Sequence, residues 1–184
     1  MKHFLSERLI QCPSMLLSQL TEVKPVSTAI VAADHPIVLD SARQAFDAGI
    51  IQPVLIGGLA KISEAAENIG WDISALECIE AHGENEAAEE GARLAHVGSV
   101  NMVMKGHIHT DAFMRPLLAK GSGIRTGCRL SHAFHMSLPD RDDSLLLTDC
   151  ALNVAPDIET RIAIIENAIE LSQKLGCFRP RVAL

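Results

Sequence analysis

The chain has 184 residues, long enough for one large domain or two small lobes. Its 16 Lys+Arg against 23 Asp+Glu leave a net charge of −7, which excludes the broad basic face of a nonspecific nucleic-acid binder and leaves room for a local basic pocket. Hydrophobic residues at 48% and charged residues at 21% suit a packed core rather than disorder, and aromatics at 3% make that core aliphatic.

No run approaches the roughly 20 apolar residues of a membrane span. The opening MKHFLSERLIQCPSMLL carries Glu7-Arg8 inside it and does not read as a secretory signal. The 5 cysteines, Cys12, Cys78, Cys128, Cys150 and Cys177, form no CxxC pair. A disulfide framework or a zinc site is therefore not expected, and free thiols point to a cytoplasmic protein.

Residues 1–20 read as an amphipathic helix interrupted near Pro13. Residues 28–33 (TAIVAA) form a short buried strand. Asp34, His35 and Pro36 open a helix that runs to Ala48 and stops at Gly49. A strand at 53–57 (PVLIG), a helix at 59–68 ended by Gly70, and a weaker strand at 76–79 follow. A helix at 85–96, rich in Ala and Glu, stops at Gly98. A strand at 101–105 (NMVMK) leads to a helix at 111–120. Short apolar runs alternating with helical patterns are the mark of an α/β fold with a mainly parallel, open sheet flanked by helices.

The rhythm changes after 123–132. Residues 129–138 and 144–148 read as two strands joined by a turn at 139–143, an antiparallel hairpin. Residues 158–175 form a long helix, with Ile158, Ile162, Ile165 and Ile169 on one apolar face. RVAL, at 181–184, reads as the start of another strand. A boundary near Arg125 to Cys128, where GSGIRTGC is rich in Gly, divides a first α/β lobe (1–126) from the start of a second lobe (127–184).

Three segments could carry chemistry. In VMKGHIHTDAFMRPLL a strand ends at Lys105, Gly106 permits close backbone approach, and a polar loop leads to a helix. The carboxyl end of a strand in an open α/β sheet is where ligands bind, and a helix start suits an anion. Lys105, Thr110 and Arg115 read either as an anion or phosphate pocket or as an ordinary capped strand–loop–helix with surface charges. In GIRTGCRLSH, Arg125 and Arg129 can hold a phosphate bidentately, or they lie solvated at a hinge beside Ser131 and His132. In LLLTDCALNVAP a strand delivers Thr148 and Asp149 to its carboxyl end. Asp149 is a candidate general base or a turn residue, and Asn153 leads toward the long helix, with Asp157 as its cap.

His107 and His109 alternate on one side of an extended stretch, and His132 and His135 lie three apart. Neither pair has a third ligand of convincing spacing, so no metal site is expected. GGLAKI is not a GxGxxG motif, and no GxxxxGK[ST] occurs.

The segments VAADHPIVLDSARQAFDAGIIQPVLIGG, MVMKGHIHTDAFMRPLL, GIRTGCRLSHAF and LLLTDCALNVAPDIETRIAIIENAI, followed by GCFRPRVAL, together resemble the phosphate acetyltransferase/phosphate butyryltransferase family, its butyryltransferase-like branch in particular. The resemblance covers almost the whole chain and only the N-terminal part of the family. It implies a fold similar to isocitrate and isopropylmalate dehydrogenases, two α/β lobes with a cleft between them, here with the second lobe incomplete.

The implied reaction is reversible acyl transfer between acyl-CoA and inorganic phosphate, giving acyl phosphate and coenzyme A. Coenzyme A is then a substrate, and no tightly bound cofactor is expected. The resemblance assigns Lys105, Gly106, Thr110 and Arg115 to coenzyme A or substrate binding. It matches Ser131 and His132 to one family motif and Asp149 and Asn153 to another. Arg125 joins the binding set, and His132 and Asp149 are the residues that could substitute for the family's absent base. Expected partners are coenzyme A, acyl-CoA, phosphate and further copies of the chain, with neither nucleic acid nor membrane. The family's C-terminal segment, which carries its proposed base, has no counterpart, so the 184-residue chain alone is expected to be inactive. Two alternatives are a coenzyme A- or anion-binding remnant without turnover and an NAD-dependent hydroxyacid dehydrogenase on the same fold.

Overall fold

The computed structural model describes Leu16, Ser18 and residues 24–121, 124–137 and 144–184. Leu16 and Ser18 are helical; the rest of the helix expected at 1–20, and the turn expected at 139–143, lie outside the described residues. The chain divides into two compact units, Val23–Thr126 and one that holds Gly127–Leu184.

In the first unit, β1 (Val26–Val31), α1 (Pro36–Asp47), β2 (Ile51–Gly57), α2 (Leu59–Asn68), β3 (Glu77–Glu80), α3 (Glu84–His96), β4 (Met102–Lys105) and α4 (Thr110–Leu118) alternate along the chain. The four strands form one sheet in the order β3-β2-β1-β4, and every pair is parallel. The apolar runs are continuous because both faces of a parallel sheet are covered. Ala29, Val31, Val54 and Ile56 pack on one face with Ala87, Ala88 and Ala92 of α3 and Phe113 of α4. Ile30 and Leu55 pack on the other with Leu39 and Ala42 of α1, Ile62 and Ala65 of α2, and Trp71.

Local signals set the helix limits. His35 is the N-cap of α1, with Pro36 as the first helical residue. Gly49, Gly70 and Gly98 follow α1, α2 and α3 at φ of 70°, 65° and 73°, the left-handed geometry that favours glycine. At Gly91 of α3 an added Cβ would crowd the Val31 side chain, so the missing side chain lets the helix lie close on β1.

In the second unit, β5 (Ala133–Ser137) and β6 (Ser144–Thr148) pair antiparallel, with Ala133 opposite Thr148 and Ser137 opposite Ser144. The first of these strands is shorter than the sequence suggests. The carbonyls of Arg129, Leu130 and His132 accept from the side chains of Asn167, Asn153 and Thr148, so this stretch is held by side chains rather than by a neighbouring strand. Helix α5 (Ile158–Lys174) is capped by Asp157, whose carboxylate accepts from the Thr160 amide at 2.8 Å.

Two expectations are corrected here. The apolar row of α5 is only partly covered: Ile158 and Ile162 are exposed, Ile165 and Ile169 are half-buried, and the fully buried positions are Thr160 and Ile164. Amphipathic spacing finds an apolar stripe but does not choose the stripe that meets a neighbour. Residues 181–184 form no strand. A strand needs a neighbour for its ladder of hydrogen bonds, and none pairs with this segment among the described residues.

Candidate functional site

The reversal of strand order falls between β1 and β4, which sit side by side although β2 and β3 lie between them in the chain. At such a point the connections leaving adjacent strands depart toward opposite faces, and a crevice opens beyond the carboxyl ends. The loop after β4 is fastened to the end of β1: the Gly106 amide donates to Val31 O at 2.8 Å and the His107 amide to Ala32 O at 3.2 Å. A Cβ on Gly106 would collide with both of those carbonyl oxygens, so this glycine serves backbone-on-backbone packing.

The histidines of this region have separate partners. His35 accepts from the Ile37 amide through Nδ1 at 3.3 Å, and its ring stacks on His107 with centroids 4.4 Å apart. His109 is the N-cap of α4, yet its side chain caps no helical N–H. It turns instead to Glu84 in the first turn of α3, whose carboxylate accepts from the His109 amide at 3.1 Å and lies 2.8 Å from Nδ1. The hydrogen bond and charge of Glu84 raise the His109 pKa above its ordinary value, and the same bonds from the His109 ring and amide lower that of Glu84.

Lys105 ends β4 and Thr110 opens α4, both exposed on the flanks of this loop. Arg115 lies further along α4, exposed, in an i,i+4 ion pair with Asp111 at 3.4 Å. Arg125 donates to Leu118 O at 3.5 Å and is otherwise exposed. The structure therefore brings Lys105, Gly106 and Thr110 into one loop and sets Arg115 and Arg125 beyond it.

The second unit gathers the other sequence candidates. Asp149, reached through a cis Thr148–Asp149 peptide bond, accepts from the amides of Ala151, Leu152 and Asn153 at 2.9, 3.0 and 3.2 Å. It accepts from the Asn153 side-chain amide as well. Partial burial pushes the carboxyl pKa up, but these donors and the His132 backbone outweigh it and bring it down to about 2. Asn153 Nδ2 also donates to Leu130 O at 3.0 Å. Thr148 Oγ1 donates to His132 O at 2.7 Å. Asn167 of α5 donates to Ser131 Oγ at 2.9 Å and to Arg129 O at 2.8 Å. Ser131, His132, Asp149 and Asn153 thus form one polar cluster at the carboxyl end of β6. His132 Nδ1 is buried there without a hydrogen-bond partner, and its ring meets Phe134 edge-on at 4.4 Å.

Glu84 and Asn167 did not stand out in the sequence, and His35 did so only as part of a helix start. Glu84 reads as an ordinary acidic residue in a first helical turn, and its partner is 25 residues away. Among the described residues, no three His, Cys, Asp or Glu side chains come together in a way that could hold a metal ion. No helix among them is long and apolar enough to cross a membrane.

Comparisons with known proteins bear on the family and the fold. Residues 85–184 match the family described as phosphate acetyl/butaryl transferase. The chain is 33% identical over 175 residues to a phosphate acetyltransferase of Rhizobium meliloti, covering 94% of this chain and 55% of the relative. It is 34% identical over 168 residues to a phosphate butyryltransferase of Clostridium beijerinckii, covering 91% and 56%. The crystal structure of a branched-chain phosphotransacylase from Enterococcus faecalis superposes with a TM-score of 0.64 at 26% identity, covering 82% of this chain and 52% of that one. The chain thus spans about half the length of the curated relatives it matches. With more than half of its residues matched in order, from the first turn of α3 to Leu184, the chain belongs to the phosphate acetyl/butaryl transferase family.

Proposed function

We propose that the chain serves a phosphate acyltransferase reaction, the reversible movement of an acetyl or butyryl group between coenzyme A and inorganic phosphate, by binding coenzyme A or phosphate at the loop after β4. The observation that carries this reading is the loop at the strand-order reversal, with Lys105 and Thr110 on its flanks and the uncapped start of α4 beside them. A phosphate-bearing ligand suits such a loop because cations and orphan N–H groups converge on an anion. Arg115 and Arg125, in the same unit, add positive charge for coenzyme A. The relatives named above are phosphate acyltransferases and lend no support to the dehydrogenase or binding-remnant alternatives.

In the direction of thioester formation the coenzyme A thiol loses its proton, the thiolate attacks the acyl-phosphate carbonyl, and the C–O bond to phosphate breaks as phosphate leaves. A thiol with a pKa near that of Cys, about 8.5, calls for a base. His132 is the better of the two candidates for that proton. Asp149 turns its lone pairs to the chain's own donors and, with its pKa near 2, is a weak base at neutral pH. We assign it the holding of Asn153 and of the turn beside His132. We assign the protein to the cytoplasm, in keeping with 5 cysteines whose spacing offers no disulfide framework.

The test is calorimetric titration with coenzyme A beside an assay of thioester formation from acetyl and butyryl phosphate. Coenzyme A is expected to bind, and Lys105→Ala and Arg115→Ala to weaken it by about 1–2 kcal/mol each while the fold persists. Arg115→Lys recovers part of the loss if the contact is bidentate. Absence of binding by both coenzyme A and phosphate, or binding that neither replacement changes, overturns the reading.

A further inference from the structure

Side chains from three places tie down the stretch from Arg129 to His132. Asn167 Nδ2 donates to Arg129 O at 2.8 Å, Asn153 Nδ2 to Leu130 O at 3.0 Å and Thr148 Oγ1 to His132 O at 2.7 Å. Asn167 Nδ2 also lies 2.9 Å from Ser131 Oγ. The direction of this last bond follows from the first. A carbonyl only accepts, so the Asn167 atom at Arg129 O is the amide nitrogen, and the same nitrogen donates to Ser131. Ser131 Oγ is thus an acceptor toward α5, and its own hydrogen has no acceptor among the described residues. On the next residue, His132 Nδ1 is buried without a partner. Two unspent polar groups therefore fall on consecutive, half-buried residues, where such groups normally find partners.

We propose that Ser131 is a hydrogen-bond donor to the carbonyl oxygen of the transferred acyl group, and that Asn167 is the positioning residue that turns the Ser131 O–H outward. This rests on the acyltransferase reading, with His132 taking the thiol proton. The local charge favours a carbonyl over an anion. Asp149, ionised at neutral pH, is hydrogen-bonded to the His132 backbone, and the positive charge of Arg129 acts on Asp157, the cap of α5. A phosphate at Ser131 would be repelled by Asp149, whereas a neutral acceptor would not. During acyl transfer the carbonyl oxygen gains negative charge as the thiolate attacks, and gives it back as the C–O bond to phosphate breaks. A donor held in place before the attack stabilises that charge. Asn167 supplies the holding: its bond to Arg129 O fixes its amide in the donating orientation, so the Ser131 hydrogen cannot turn toward it. Accepting from Asn167 also polarises the hydroxyl toward donation.

Acetylphosphonate, isotopically labelled at its carbonyl carbon, stands in for acetyl phosphate without hydrolysing. Methylphosphonate is a phosphonate anion with no carbonyl. Both are titrated at neutral pH into the full chain and into Ser131→Ala, Ser131→Thr, Asn167→Asp and Asn167→Ala, with binding and the carbonyl carbon signal followed by NMR. The bound carbonyl is expected downfield of the free one, because a carbonyl that accepts a hydrogen bond is polarised. Ser131→Ala is expected to weaken acetylphosphonate about two- to tenfold and to remove the downfield shift, leaving methylphosphonate unchanged. Ser131→Thr keeps a hydroxyl and should recover part of both. Asn167→Asp replaces the donor at Ser131 with an acceptor that takes the hydroxyl hydrogen, so it should behave as Ser131→Ala does. Asn167→Ala only frees the hydroxyl to rotate and should give an intermediate loss, which decides the matter where Asn167→Asp fails to fold. The proposal is overturned by the absence of a downfield shift in the unaltered chain, by equal effects of Ser131→Ala on the two phosphonates, or by Asn167 variants that match the unaltered chain. Each of these leaves the binding of coenzyme A or phosphate at the loop after β4 standing. Failure of both phosphonates, inorganic phosphate and coenzyme A to bind overturns both.

Discussion

The carboxylate of Asp149 accepts from both the backbone amide and the side-chain amide of Asn153, four residues on, while the same side chain of Asn153 donates to Leu130 O. One aspartate thereby ties the end of β6 to the turn after it, and through Asn153 to the stretch before β5. The TDCALN segment presents a strand end followed by polar residues; the fold uses these residues to bind the chain to itself.

This arrangement predicts a defined acid sensitivity. The Asp149 carboxyl pKa is lowered from 3.8 to about 2, so its stabilising contribution is present above about pH 4 and is lost as pH falls toward 2. Asp149→Asn removes the charge and half of the acceptor capacity. The unaltered chain is expected to be more stable than the variant at neutral pH, with a gap that is constant down to about pH 5 and closes as pH falls from about 4 to about 2. Denaturant unfolding of both proteins across that range checks it. A gap that persists unchanged to pH 2 would show that the charge does not hold the turn.

Gly106 offers a packing test. A Cβ there meets the carbonyl oxygens of Val31 and Ala32, which are backbone atoms and cannot rotate away. Gly106→Ala is expected to cost about 1–3 kcal/mol of stability or to displace the loop, as overpacking does. Gly127→Ala is the control: its Cβ would meet nothing within 4 Å, and a change within about 0.5 kcal/mol is expected. Equal melting temperatures for the two variants would contradict the tight seat of Gly106.

The β5–β6 hairpin predicts association. Phe134 pairs across the strands with Leu147 and Met136 with Leu145, and all four side chains are exposed on one face. Apolar residues grouped in this way favour contact with another apolar surface. The chain is expected to self-associate in a concentration-dependent way, and Leu147→Lys with Met136→Lys to shift it toward monomer while circular dichroism stays unchanged. Light scattering across a range of concentrations decides the matter; a monodisperse monomer at high concentration would rule the association out.

Much of the first unit was legible in the sequence because its signals are local. Leu59–Asn68 has the limits that apolar spacing and the flanking glycines suggest, and the starts and stops of α1 and α3 come within a residue or two. Continuous aliphatic runs report burial on both faces, which is a property of parallel strands. Lys105, Gly106 and Thr110 could be singled out because a strand end, a glycine and a helix start follow one another directly in the chain.

What the tertiary structure decided concerns neighbours distant in sequence. The order β3-β2-β1-β4 brings the end of β4 against the end of β1, and only then do His35 and His107 stack. The pairing of Glu84 with His109, and of Asn167 with Ser131, depends on how helices approach loops, which linear spacing does not encode. The same reason explains α5: its sequence determines a long helix with an Asp157 cap, but which positions it buries depends on its neighbours, and Thr160 and Ile164 are buried while Ile158 and Ile162 of the apolar row remain exposed. Secondary structure follows from propensity and periodicity along a few turns of chain, whereas the partner of a side chain is set by packing between elements that the chain brings together only after it has folded.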